Sequence, residues 1–261
     1  MSSTRMTVLV VGATGSIGKL VVEEAVRAGH AVRALVRDSS KARRLPQEAQ
    51  VLVGDVTRPE TLLGAVDGVD AVVFTLGSDG AGKVGAETVD YGGVCNVLAA
   101  LGSRPARIAL MTSIGVTNRT GDYNRRTEAH DWKRRSERLV RASGRPYTIV
   151  RPGWFDYNAP TEQRLLLLQG DKRQAGDPSD GAIARRQIAE VLVRSLTSPQ
   201  ADRKTFELVA TPGAEQQDFD PLFGALDADP PGSVDAVHDA PNMTLEEEPQ
   251  RVRDDLDAVR R

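Results

Sequence analysis

Cysteine is nearly absent from the 261-residue chain. The single thiol, Cys95, excludes an internal disulfide and suits a reducing cytoplasm. It lies in the apolar stretch Val94-Cys95-Asn96-Val97-Leu98, where a small buried hydrophobe is the expected reading rather than a nucleophile. Histidine is scarce as well. His30, His130 and His238 are scattered without metal-ligand spacing, so no metal site is expected. No apolar run reaches the ~18 residues a membrane span needs. The start, Met1-Ser2-Ser3-Thr4-Arg5, lacks the basic-then-apolar-then-small pattern of a secretory signal. Neither Ser143-Gly144 nor Thr14-Gly15 carries the nucleophile-elbow pattern, and no His–Asp partnering of a hydrolase is legible. There is no internal repeat.

What is present is an ordinary globular composition, 40% hydrophobic and 27% charged. The length suits one α/β domain with elaborations. The net charge of −2 hides an asymmetry. Residues 214–261 hold thirteen acidic and four basic side chains, a balance of −9, and the remainder carries +7. A basic body suits an anionic small molecule or a nucleic acid. No aromatic-interleaved basic motif or zinc-finger spacing supports the latter. An acidic tail folded back over the body is therefore the expectation for most of the charge. The Arg125-Arg126 and Lys133-Arg134-Arg135 clusters are expected to be solvated helix faces.

Strand and helix patterns alternate from the start, as in a parallel sheet covered on both faces. Thr7–Val11 is a β-branched run of the kind buried on both faces. Ile17, Leu20, Val21, Ala25 and Val26 recur at helical spacing until Gly29. Further strands are expected at Ala31–Val36, Val51–Val53, Ala71–Thr75, Ile108–Met111, Tyr147–Val150 and Thr205–Val209. Helices are expected at Arg58–Val66, Val84–Leu101, Glu128–Ala142 and Gln187–Leu196. A domain over 1–213 then contains an insert, 153–184, whose Leu165–Leu168 run and Gly- and Asp-rich loops suit a wall over a ligand. Residues 214–261 form a Pro- and Asp-rich tail with a charged helix at Glu246–Val259. That tail can wrap the body, pack on a second subunit in a homodimer, or stay disordered.

The first strand runs into Gly12-Ala13-Thr14-Gly15-Ser16-Ile17-Gly18, which opens a helix. Gly12 permits a sharp turn, Gly15 lets backbone approach a pyrophosphate, and Gly18 allows close helix–strand packing. The helix start offers unpaired N–H groups and a positive dipole end to phosphate. A buried strand before the glycines and an amphipathic helix after them make this a dinucleotide-binding fingerprint. Arg37 directly follows the second strand, with Ser39, Lys41, Arg43 and Arg44 nearby. A guanidinium there accommodates a ribose 2′-phosphate, which favours NADP(H) over NAD(H), whereas the neighbouring Asp38 can bind ribose hydroxyls instead.

Val8–Gly18, Leu35–Asp38, Gly54-Asp55, Thr112-Ser113 and Tyr147–Gly153 together resemble the atypical short-chain dehydrogenase/reductases, in their NAD(P)H-binding, NmrA-like subgroup. The resemblance spans about Thr7 to Val209 and leaves the tail outside. It implies a seven-stranded, doubly wound parallel sheet of Rossmann type. It also implies that Asp55 and Val56 lie by the adenine and that Thr75, Leu76 and Gly77 line the cofactor. Pro152, Gly153 and Trp154 would then sit near the nicotinamide.

Reductases of that superfamily use a tyrosine as proton donor, a lysine four residues later, and a Ser or Thr at the carbonyl. The ammonium lowers the phenol pKa, and the i,i+4 spacing puts both on one helix face. Lys133 matches the lysine and Ser113 the serine, but Ala129 stands where the tyrosine belongs. Three readings follow. The first is a reductase for a flavin, quinone or other acceptor that needs little acid help. A second is an enzyme borrowing a donor, with His130 adjoining the position and Tyr123 or Tyr157 reaching in from loops. The third is a non-catalytic redox sensor of NmrA-like type; isomerase- or epimerase-like chemistry is a lesser alternative. Trp154 is expected to stack on a ligand and Trp132 to pack in the core or at its rim.

Overall fold

A computed structural model describes residues 5–78 and 80–260, and every expected strand forms in it. The strands are β1 (Thr7–Val11), β2 (Ala31–Val36), β3 (Gln50–Val53), β4 (Ala71–Phe74), β5 (Arg107–Met111), β6 (Tyr147–Pro152), β7 (Trp154–Phe155), β8 (Arg164–Leu168), β9 (Ala182–Ile183) and β10 (Lys204–Thr211). The main sheet runs β3-β2-β1-β4-β5-β6-β10-β8. Its first seven strands are parallel. The strand order turns back between β1 and β4, where an open α/β sheet leaves a crevice beyond the carboxyl ends of its strands.

The eighth strand departs from the expected topology, as does a separate two-stranded parallel sheet of β7 and β9. The Leu165–Leu168 run pairs antiparallel with β10, opposing Ala210 to Glu207, instead of joining a wall over a ligand. It covers the edge that β10 would otherwise leave bare.

Helices are α1 (Gly18–Arg27), α2 (Leu63–Val66), α3 (Gly82–Gly85), α4 (Gly92–Leu101), α5 (Asp122–Thr127), α6 (Ala129–Ala142), α7 (Arg185–Thr197), α8 (Asp220–Gly224) and α9 (Gln250–Val259). The period-2 geometry of β1 explains the two layers they form. Val8 and Val10 face α1 and α7, meeting Val21, Val22 and Leu192. Leu9 and Val11 face the opposite layer, with Val94 and Val97 of α4 and Leu139 of α6. The expected helix over 58–66 is interrupted: a 3₁₀ turn at Pro59–Thr61 precedes α2. The Thr61 hydroxyl donates to the Arg58 carbonyl at 2.7 Å and competes with the helical ladder. The helix expected from Val84 passes through a π-helical stretch, Ala86–Tyr91.

The tail folds back, and α9 buries Val252 and Leu256 in the layer of α4 and α6. Its carboxylates meet arginines of α6, which corrects the expectation of a solvated Arg134-Arg135 face. Arg134, Arg135, Arg138 and Arg141 are all buried. Glu248 accepts from Arg135 at 2.6 Å and from Arg138 at 2.9 Å. Asp235 takes Arg138 at 2.7 Å and Arg134 at 3.3 Å. Asp229 accepts from Arg141, the Tyr147 hydroxyl and the Thr205 hydroxyl at 3.0, 2.9 and 2.6 Å. Asp239 reaches Arg151 of β6, which also binds Glu137 of α6. Buried cations require such partners.

Candidate functional site

The Gly-rich turn carries the strain its glycines were expected to relieve. Gly12 has φ +88°, and a Cβ there would stand 2.9 Å from the Thr75 carbonyl oxygen. A Cβ on Gly18 would fall 2.0 Å from the Gly12 carbonyl oxygen. Gly15 differs, because a Cβ would meet only Gly12 O, at 3.2 Å, and its outer side is open. Thr14, Gly15 and Ser16 are exposed while Ile17 anchors the turn in the core. Among the described residues, nothing accepts from the N–H groups of Ser16 or Ile17. An open backbone cradle at a helix start fits a diphosphate. Thr75 braces this turn, its hydroxyl donating to the Val11 carbonyl at 3.1 Å.

At the end of β2, Arg37 is exposed. Asp38 beside it caps the 3₁₀ turn Ser39–Arg44, one carboxylate oxygen accepting from Ser40 N–H at 2.9 Å. Hydrogen bonding from the Ser40 side chain and N–H holds the Asp38 carboxyl below the usual range. At the end of β3, Asp55 accepts from the N–H and hydroxyl of Thr57, at 2.9 and 2.8 Å. The Val56 carbonyl accepts from Asn96 at 2.8 Å, which ties this loop to α4.

A cavity of about 620 Å³ opens beyond the ends of β4, β5 and β6. Its size is ample for a small ligand. Leu76, Gly77, Ser113, Pro152, Gly153 and Trp154 line it, joined by His130 and Lys133 from α6. The structure therefore brings eight of the expected residues to one space. Gly12 to Gly18, Arg37, Asp55, Val56 and Thr75 lie outside its lining, at the ends of β1 to β4. Trp154 stacks edge-on against Tyr157, with ring centroids 6.2 Å apart. Trp132 is buried, tilted against Tyr91 at 5.3 Å with the Arg135 guanidinium over its ring.

Ser113 is the informative residue. Its hydroxyl is buried and has no hydrogen-bond partner among the described residues. A buried unpaired hydroxyl costs about 1–3 kcal/mol. A ligand oxygen in the cavity would satisfy it. Lys133 extends toward the same space, Nζ 3.2 Å from the fully buried Asp90, which also accepts from Ser78 at 3.0 Å.

His130 is placed by Asn124, whose side-chain oxygen accepts from the N–H groups of His130 and Asp131 at the start of α6. Burial pushes the imidazole below the ordinary histidine range, with the Asn118 carbonyl acting the other way. That lowering favours the neutral imidazole. The Tyr123 ring lies 5.1 Å from it, at the cavity wall. Cys95 lies outside the lining, and burial pushes its thiol up to about 11, as a structural cysteine requires.

Sequence reasoning missed Asp90, the partner of Lys133. It also missed Asp171, which accepts from Gly115 N–H, Thr117 N–H and the Thr117 hydroxyl at 2.7, 2.7 and 2.8 Å and so shapes the loop after Ser113. Nothing in the local pattern around Asp171 signals a partner more than fifty residues away. For Asp90 there was a signal: an acid between Val89 and Tyr91 in the Gly- and Val-rich stretch preceding α4.

Comparison with known proteins gives the context for this geometry. A family model described as NAD(P)H-binding matches residues 12–199. An uncharacterised chloroplastic protein of Arabidopsis thaliana, At2g37660, is 30% identical over 84% of this chain and 74% of its own length. Sanguinarine reductase of Eschscholzia californica is 27% identical over 86% of this chain and 97% of its own. Among solved structures, a putative NAD-dependent epimerase/dehydratase from Bacillus halodurans superposes with a TM-score of 0.70 at 23% identity. That match covers 85% of this chain and all of the other.

Proposed function

Because the chain belongs to the NAD(P)H-binding family, we propose that it is an NADP(H)-dependent reductase of a flavin, a quinone or a small carbonyl compound. The observation that carries this reading is the orphaned Ser113 hydroxyl, buried in a cavity it shares with Lys133 at the strand ends. A nicotinamide bound there would supply a hydride. Ser113 donates to the acceptor oxygen that gains charge. Lys133, held by Asp90, grips the cofactor ribose. His130 contributes a neutral hydrogen-bonding group, and water supplies the proton, which is why an acceptor of low acid demand is favoured. Pro152, Gly153 and Trp154 would wall the ring, with Leu76 and Gly77 beside it, and Asp55 and Val56 would lie by the adenine.

The preference for NADP(H) rests on Arg37, which is exposed and pairs with no carboxylate among the described residues, while Asp38 is engaged with Ser40. The partner is a small molecule rather than a nucleic acid, since the α6 arginines that a polymer would need are buried against the tail. The tail carboxylates are engaged by arginines of the same chain, so this reading requires no homodimer. Among the described residues no helix is long and apolar enough to cross a membrane. We place the protein in a reducing compartment, the cytoplasm, where Cys95 stays free.

A redox-sensing role is the second reading, favoured by Ala129 in place of the tyrosine. Mixing the protein with NADPH and a panel of flavins and quinones separates the two. Acceptor-dependent loss of NADPH absorbance, lowered at least tenfold by Ser113→Ala, supports the reductase. Micromolar NADPH binding with no turnover on any acceptor would leave the sensor standing instead.

A further inference from the structure

Arg185 is the first residue of α7, the helix that packs beside α1. Its guanidinium Nε donates to the Ser16 hydroxyl at 3.3 Å, on the exposed part of the Gly-rich turn. The same guanidinium pairs with Asp156, just beyond β7, and Asp156 also accepts from the Arg185 N–H at 2.9 Å. It stands 5.2 Å from the Phe155 ring, which lines the cavity. One side chain thus touches both the turn expected to hold a diphosphate and the wall of the proposed reaction space.

The electrostatics favour a third contact. The Arg185 side chain is 35% exposed and that of Asp156 51%. An ion pair this open contributes about 0–1 kcal/mol and is readily exchanged. A diphosphate on the free N–H groups of Ser16 and Ile17 would bring two negative charges within reach of a guanidinium already bonded to Ser16. Its planar fork matches phosphate oxygens as well as carboxylate oxygens, and the diphosphate offers two charges to the carboxylate's one. Arg37, Lys41, Arg43 and Arg44 belong instead to the end of β2 and the turn after it.

We propose that Arg185 is a ligand of the cofactor diphosphate, exchanging its bond to Ser16 and part of its pairing with Asp156 for phosphate oxygens. The proposal rests on the dinucleotide reading above. It adds a residue from outside the Gly-rich fingerprint that would treat NADPH and NADH alike, since both carry the diphosphate.

The test is calorimetric titration of the full chain with NADPH, NADH and adenosine 2′-monophosphate, which lacks a diphosphate. Arg185→Ala is expected to weaken NADPH and NADH by a similar factor, on the order of tenfold or more, and to leave adenosine 2′-monophosphate unchanged. Arg185→Lys keeps the charge without the fork and should fall between. Asp156→Asn separates a ligand from a mere staple. It frees Arg185, so NADPH should bind as well as to wild type or better. Should Arg185→Ala melt early, the Lys and Asn variants decide the matter alone. NADPH affinity within twofold of wild type in Arg185→Ala overturns the proposal, as does Asp156→Asn weakening NADPH as much as Arg185→Ala. Wild-type protein that binds neither dinucleotide would overturn the underlying reading instead, a result distinct from both.

Discussion

Replacing Glu248 by alanine probes whether the acidic tail holds α6, the helix that carries His130 and Lys133. The Glu248 side chain is 1% exposed and serves two cations, Arg135 at 2.6 Å and Arg138 at 2.9 Å. Removing it strands buried positive charge, for which the usual loss is about 3–5 kcal/mol. Two features pull the expectation to the lower end. Arg138 retains Asp235 at 2.7 Å, and Arg135 keeps the face of Trp132, 4.4 Å from the ring centre. A loss of about 3 kcal/mol follows. In a domain of this size each kcal/mol moves Tm by roughly 2–4 °C, so Tm should fall by about 6–12 °C. Thermal melts followed by circular dichroism measure this directly. Arg58→Ala is the control, because its pairing with Glu60 is more than 60% exposed on both sides, and it should shift Tm by about 4 °C at most. A Glu248→Ala melt within 2 °C of wild type would refute the idea that tail carboxylates neutralise buried α6 arginines.

Three further outcomes are expected. Arg37→Ala should weaken NADPH by about ten- to a hundredfold in calorimetry, the worth of a charged hydrogen bond, and leave NADH unchanged; equal losses for both would contradict the assignment. Because burial lowers the His130 pKa and so favours the neutral imidazole, kcat/KM should show no histidine titration between about pH 7 and 8, and a steady fall over that range would show instead that an imidazolium donates the proton. Burial pushes Glu207 up to about 7 from 4.5, opposed by Arg151 and aided by Asp171. The folded carboxyl then binds its proton more tightly than the unfolded one, so its stabilising contribution is full below about pH 4.5 and is lost as pH rises through about 7. Urea midpoints should decline across that window, and Glu207→Gln should flatten the decline; an unchanged slope would exclude Glu207 as its source.

The sheet was legible because each β-strand pattern is local: β-branched runs between Gly-rich turns mark β1 to β6 and β10 without knowledge of their neighbours. The turn from Gly12 to Gly18 was legible for the same reason, since its glycines answer constraints within a few residues of chain. The long-range pairings were not. Arg134, Arg138 and Arg141 recur at i, i+4 and i+7, the spacing of a buried helix stripe. Their charge made that stripe look solvated until the carboxylates of Asp229, Asp235 and Glu248 closed over it from about a hundred residues away. The Leu165–Leu168 run is apolar enough for a core strand, yet only its antiparallel pairing with β10 separates it from a ligand wall. The setting of His130 stays outside local pattern too, because its ring meets Tyr123 only once the Asn124 side chain accepts from the first N–H groups of α6.

The amide cradle at Gly15 is tested most directly by titrating NADPH into wild-type protein and into Gly15→Asp, whose carboxylate would occupy the open outer side of the turn. A wild-type Kd in the micromolar range is expected, weakened at least tenfold in the variant while its melting temperature holds. Absence of NADPH binding by the wild type, or equal binding by both proteins, would contradict it.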